Sequence, residues 1–147
     1  MPWPPELTVT VIECIAVAAG ILVDERGNVL LTERIGDSPF AGLWEFPGGK
    51  IAAGESAVAA MCRELAEELG IRVQRSDPFM NVRHEYADRA VALEFFLVTH
   101  WQGAPVGLDG QALQWRKPLN IQVEELLPAD APVLRALQQA ASVSGLS

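Results

Sequence analysis

From residue 8 to residue 24 the chain reads TVTVIECIAVAAGILVD, with Val9, Val11, Ile15, Val17, Ile21 and Val23 on one parity. A β-branched run with this period predicts a long strand, with Gly20 as the place for a bend. Residues 25–28 (ERGN) are a turn signal and residues 29–32 a second strand, so the two runs predict a hairpin. Regularity is then lost over residues 35–53, where Gly36, Pro39, Gly42, Pro47, Gly48 and Gly49 interrupt the pattern. A loop this long in a small chain is more often functional than idle. The period changes to 3.6 over residues 56–69, which begin at Ser56, have an alanine-rich interior and stop before Gly70, the marks of a capped helix. Short strands are expected at 71–73 and 79–82, a strong one at 91–101 and another at 112–116. Val133, Leu134, Leu137 and Ala141 recur at helical spacing over residues 131–141, and Asp130 stands where it would cap that helix.

Composition narrows the reading. Half of the 147 residues are apolar and a fifth are charged, enough for one core. No internal repeat or dividing linker is found, so residues 1–147 are expected to form a single domain behind a Pro-rich lead, residues 1–7. Nineteen acidic against eleven basic side chains give a formal charge of −8. A chain so acidic lacks the basic footprint that long nucleic acids or an anionic bilayer require. The longest apolar stretch, residues 14–23, is too short to span a membrane, and the N-terminus lacks the charged and apolar regions of a secretory signal. A cytoplasmic location is therefore expected. Cys14 and Cys62 lie in apolar segments without metal-type spacing and are expected to be buried thiols.

Placed at 100° intervals, residues 56–69 separate into two stripes. Val58, Cys62, Leu65 and Leu69 form the apolar one; Glu64, Glu67 and Glu68 lie together opposite it, with Ala57 and Ala60 on their side. A solvated acidic face is the plain explanation. Against it, Glu64 and Glu68 repel at i, i+4, and Glu67 and Glu68 lie near the helix C-terminus, where the dipole disfavours negative charge. The small alanines would let another backbone approach, and the loop just upstream carries Gly48 and Gly49. Several carboxylates with a backbone carbonyl are ligands suited to a hard cation such as Mg²⁺, which keeps sites open for phosphate oxygens and water.

Gly49, five residues, Glu55, seven residues, then Arg63-Glu64-Leu65-Ala66-Glu67-Glu68-Leu69-Gly70-Ile71 matches every fixed position of the Nudix box. Further segments, LWEFPGGK at 43–50, YADR at 86–89, GLDGQ at 107–111 and LPADAPV at 127–133, resemble the MutT-type nucleoside triphosphate pyrophosphohydrolases. The resemblance implies an α/β chain with the Nudix fold, a mixed sheet between helices in an α/β/α sandwich. It also implies a divalent ion, Mg²⁺ with Mn²⁺ as the alternative, held by Gly48, Glu67 and Glu68, with Glu64 a further ligand or the base. By the same resemblance Glu55 and Arg63 support the site, although both would also pass as surface ion-pair residues. Asp109 matches an acidic ligand position, and its alternative is an ordinary turn Asp. Lys50 and Arg34 would contact a phosphate, or in the case of Arg34 the base, and Arg89 the nucleoside. Phe46 and Tyr86 would be its apolar neighbours, with core packing as their default role. His84 and His100 receive no role.

Asp130 is a departure, because MutT-type enzymes specific for oxidised guanine usually carry Asn there. An amide can donate to O6 and accept from the N7–H of 8-oxoguanine; an ionised carboxylate only accepts. It would repel O6 unless protonated, whereas it suits the N4 amino group of cytosine. The expected activity is hydrolysis of nucleoside triphosphates to monophosphate and pyrophosphate by a monomer or weak dimer, 8-oxo-dGTP being favoured. A CTP or 5-methyl-dCTP pyrophosphohydrolase is the alternative, and a non-catalytic nucleotide-binding Nudix module is the alternative of another class.

Overall fold

A computed structural model describes residues 13–144, so Val9, Val11 and the Pro-rich lead lie outside the described residues. The chain runs β1 (Glu13–Leu22), β2 (Val29–Glu33), β3 (Trp44–Glu45), β4 (Gly48–Lys50), α1 (Ala57–Leu69), β5 (Arg72–Glu85), β6 (Arg89–Gln102), β7 (Leu113–Arg116) and α2 (Ala131–Ser144). Three 3-10 turns, Pro118–Asn120, Val123–Glu125 and Pro128–Asp130, lie between β7 and α2.

The larger sheet has the order β4-β1-β6-β5 and is mixed: β1 runs parallel to β6 from Glu13 opposite Arg89 to Leu22 opposite Val98, and the other pairs are antiparallel. A strand paired on both sides and covered on both faces buries both parities, which is why the second half of β1 is apolar throughout. Ala18 and Leu22 enter one core with Met61, Leu65 and Leu69 of α1. Ala19 and Ile21 enter the other with Val133, Leu134 and Leu137 of α2. The expected sandwich, a mixed sheet between helices, follows.

Several local expectations are corrected. The hairpin of β1 with β2 reduces to one bridge, Val23 to Val29, because β4 and β6 already take both edges of β1. The turn itself forms, with the Asp24 carboxylate accepting from the Arg26 and Asn28 amides. Beyond it β2 becomes the centre of a second, antiparallel sheet, β3-β2-β7. Gly20 stays in register opposite Phe96, so it marks a close approach and no bend: a Cβ there would meet Leu65 Cδ2 at 2.8 Å. The two short strands at 71–73 and 79–82 are one strand, β5, which passes through Pro78 with register shifts. Proline is tolerated because β5 is an edge strand. The irregular stretch 35–53 contains β3 and β4. On α1, Val58 is 42% exposed, and the buried face is Ala60, Met61, Leu65 and Leu69, turned toward β1 and β4. Cys14 is exposed, because full burial along β1 begins only at Ala18; the Arg83 guanidinium donates to its Sγ at 3.2 Å. Cys62 is half-buried.

Candidate active site

Helix α1 has the predicted ends. The Ser56 hydroxyl accepts from the Ala59 amide at 3.2 Å, and Gly70, at φ +71°, closes the last turn by donating to the Ala66 carbonyl. Between these caps the helix lies against β4, whose glycines set the distance. A Cβ on Gly49 would come within 2.4–2.6 Å of the Glu64 carboxylate, and one on Gly48 within 2.2 Å of the Ala18 carbonyl oxygen. A side chain at Gly48 would force the strand pairing open, and one at Gly49 would displace the Glu64 carboxylate.

Arg63 is the centre of the acidic face. Its Nε and Nη2 donate to the two oxygens of Glu55 at 2.8 and 2.9 Å, and Nη1 donates to Glu64 at 2.9 Å and, more distantly, to Glu67 at 3.3 Å. Nη2 also reaches the Lys50 carbonyl, and Glu55 accepts from the Ala52 amide. A guanidinium fork fixes carboxylates in direction as well as distance. The bonds from Arg63 hold the Glu55 carboxyl down at about 2, and its acid partners raise Arg63 further above its already high value.

A cavity of about 760 Å³ opens beside this face. Of the residues singled out in the sequence, Gly48, Glu68, Asp109, Arg34, Lys50, Phe46, Tyr86, Arg89 and Asp130 line it. Glu55, Arg63, Glu64 and Glu67 lie outside its wall, gathered around the guanidinium. The expected ligand set is thus not one tight cluster: among the described residues no three Asp, Glu, His or Cys side chains are gathered as a metal site. The donor chemistry nonetheless fits a hard cation. The acidic groups offer only oxygen, and burial, followed by the charges of Glu64, Glu45 and Asp109, pushes the Glu68 carboxyl up to about 8, against a bond from the Gly48 amide. A divalent cation relieves that repulsion.

A second group of residues on the cavity wall is different in character. Asp130 ends the turn Pro128–Asp130, directly before α2. Its Oδ2 accepts from the Phe46 amide at 3.2 Å, 84 residues away in sequence, and the side chain is buried. Burial first, then the charge of Glu45, pushes its carboxyl up to about 8. The Phe46 ring is a core side chain, edge-on to Phe95, so what Phe46 offers to this polar group is its amide. Tyr86 packs against Phe40 and His84, and the Ala129 amide donates to its hydroxyl. Arg89 is exposed and paired with Asp88 at 3.2 Å. Arg34 Nε lies 2.7 Å from Glu45 Oε2, and its Nη2 donates to Oε1.

Two residues of the site were missed in the sequence. Glu45, an acid inside the apolar run at 43–46, lines the cavity; burial raises its carboxyl pKa, with Arg34 opposing. A charged residue amid a buried run is itself a signal. Gln111 also lines the cavity and has no distinguishing mark of charge or period.

A family model described as NUDIX domain matches residues 15–137. The chain is 37% identical over 123 residues to the 8-oxo-dGTP diphosphatase of Escherichia coli, covering 84% of this chain and 95% of that one. It is also 37% identical over 115 residues to the CTP pyrophosphohydrolase of the same organism, covering 78% of this chain and 85% of that one. The crystal structure of the MutT NUDIX hydrolase from Burkholderia pseudomallei superposes with a TM-score of 0.76 at 28% identity, over 84% of this chain and 97% of that one. With its box complete, its sheet held between two helices and the match running over residues 15–137, the chain belongs to the Nudix family and resembles its MutT type over most of its length.

Proposed function

We propose that the chain hydrolyses nucleoside triphosphates to nucleoside monophosphate and pyrophosphate with Mg²⁺, and that oxidised purines, 8-oxo-dGTP above all, are its favoured substrates. One observation carries this reading: a single cavity is lined by Glu68 and Asp109 and also by a buried Asp130. That arrangement suits a ligand with a polyanion at one end and a hydrogen-bonding base at the other.

At the polyanion end Gly48, Glu64, Glu67, Glu68 and Asp109 would hold the cation, Mg²⁺ or Mn²⁺. When bound, it supplies Lewis-acid polarisation of phosphate oxygens and eases deprotonation of water. Lys50 and Arg89, exposed at the cavity, supply positive charge to phosphate and nucleoside. Arg63 keeps the Glu64 carboxylate oriented, and Glu55 in turn keeps Arg63 in place. Glu64 serves as a further ligand or as the base that takes the proton of the attacking water. The water oxygen bonds to a phosphorus of the α–β anhydride bridge as the P–O bond of that bridge breaks, and the departing phosphate oxygen takes the electron pair, which leaves nucleoside monophosphate and pyrophosphate.

At the base end a carboxyl with its pKa near 8 is protonated at neutral pH. It then offers one donor and one acceptor, as an amide does: the O–H for O6 and the other oxygen for the N7–H of 8-oxoguanine. This removes the repulsion that an ionised Asp would present. The second reading, a CTP or 5-methyl-dCTP pyrophosphohydrolase, draws on the similarity to the CTP enzyme. Action in the cytoplasm as a monomer or weak dimer completes the proposal; no helix among the described residues is long and apolar enough to cross a membrane.

A panel of triphosphates at concentrations below KM tests the substrate. The expected order places 8-oxo-dGTP first, and a preference for CTP would overturn it in favour of the second reading. Glu64→Gln is expected to lower kcat by roughly 100-fold or more with the fold retained. Unchanged pyrophosphate release in that variant would overturn the assignment of the box residues, and no pyrophosphate release by the native chain would point to a non-catalytic nucleotide-binding module.

A further inference from the structure

The last carbonyls of α1 have no partner within the helix and must find one elsewhere. The Leu69 carbonyl accepts from the Val106 amide at 3.0 Å. The Glu68 carbonyl accepts twice, from the Leu108 amide at 3.0 Å and from Gln111 Nε2 at 3.2 Å. The other end of the same carboxamide, Gln111 Oε1, accepts from the Asp109 amide at 2.9 Å. One side chain therefore spans the backbones of Glu68 and Asp109, two acids that line the cavity. The surrounding loop is wound to permit this. Gly110 takes φ +83° and donates to the Gly107 carbonyl at 3.1 Å, while a Cβ on Gly107 would lie 2.1 Å from the Gln111 carbonyl oxygen and 3.1 Å from its Oε1.

We infer that Gln111 is a positioning residue of the cation site: its carboxamide, bridging the Asp109 amide and the Glu68 carbonyl, fixes the separation of the two carboxylates and so sets the affinity for the divalent ion. The inference rests on the cation-site reading given above. The bridge needs a donor and an acceptor on one planar group at the end of a two-carbon stem, which only Gln provides. A methionine has similar length and no such pair. Partners that orient ligands without touching the ion commonly govern its affinity by 10- to 100-fold.

The test is Mn²⁺ binding to the full chain without nucleotide, followed by the electron paramagnetic resonance signal of free Mn²⁺. Gln111→Met is expected to weaken binding about tenfold. It should also raise the Mg²⁺ concentration needed for half-maximal activity. In an Asp109→Asn background the same substitution should have little further effect on the Mn²⁺ Kd, because the residue it positions has lost its charge. Native Mn²⁺ affinity in Gln111→Met, or an equal loss in both backgrounds, overturns the inference. If Gln111→Met does not fold, Gln111→Asn, whose shorter stem cannot span both backbones, carries the same comparison. Failure of the underlying reading looks different: the native chain would then bind no Mn²⁺, or bind it equally well as Glu68→Gln.

Discussion

The Phe46 amide donates to Asp130 Oδ2 at 3.2 Å, joining the strand segment that precedes β4 to the turn that precedes α2. This bond and Arg34 both favour the ionised form of Asp130, yet burial and the charge of Glu45 outweigh them and raise the carboxyl from 3.8 to about 8. The native fold therefore binds a proton that the unfolded chain releases near pH 4. The stability it contributes is complete below that pH and is lost as pH rises through about 8. Thermal unfolding midpoints are expected to fall between pH 5 and pH 9, and Asp130→Asn, which has nothing to ionise, is expected to flatten the decline. Turnover of 8-oxo-dGTP should fall above pH 8 in the native chain and less steeply in the variant. Parallel pH profiles for the two proteins would refute the protonated form.

Gly48 and Gly49 are neighbours with different reasons for being glycine, and alanine separates them. At Gly48 the added carbon meets the backbone of Ala18 and Ala19, which can move only by opening the β1–β4 pairing. Gly48→Ala is expected to cost about 1–3 kcal/mol in denaturant unfolding, as overpacking does. At Gly49 the added carbon meets only the end of the Glu64 side chain, which can swing away. Gly49→Ala is expected to leave the unfolding midpoint nearly unchanged while kcat falls about 10- to 100-fold, because a misplaced group of this kind costs rate rather than fold. The reverse pattern would mean that Glu64 is not the group whose position matters.

Glu68 gives the divalent ion a pH signature in stability. Without a cation its raised pKa makes the fold less stable as pH climbs from the ordinary carboxyl range through about 8. An ion that binds the ionised form offsets that loss, and at low pH it must first displace the proton. Millimolar Mg²⁺ is expected to raise the unfolding midpoint clearly at pH 8 and little at pH 5. A chelator should reverse the rise and abolish activity together, and Glu68→Gln should remove the difference between the two pH values. An equal rise at both pH values would show that Glu68 does not hold the ion.

What the sequence determined by itself was local or rigidly spaced. The ends of α1 follow from Ser56 and Gly70, whose capping acts within a few residues. The acidic face follows from helical periodicity, and the family follows from box positions at fixed spacing. Only the tertiary structure decided which edges of β1 were free, and so moved β2 into a second sheet. It alone placed Asp130 against Phe46, where burial, invisible in the residue type, raises the carboxyl far above the ordinary carboxylate range. Gln111 is the extreme case: an uncharged residue of no particular pattern, whose role depends on a loop folding back onto the end of α1. Capping and periodicity act over a few residues of chain. Strand partners, burial and the field at a carboxyl are set by groups far apart in sequence, so they are fixed only when the fold closes.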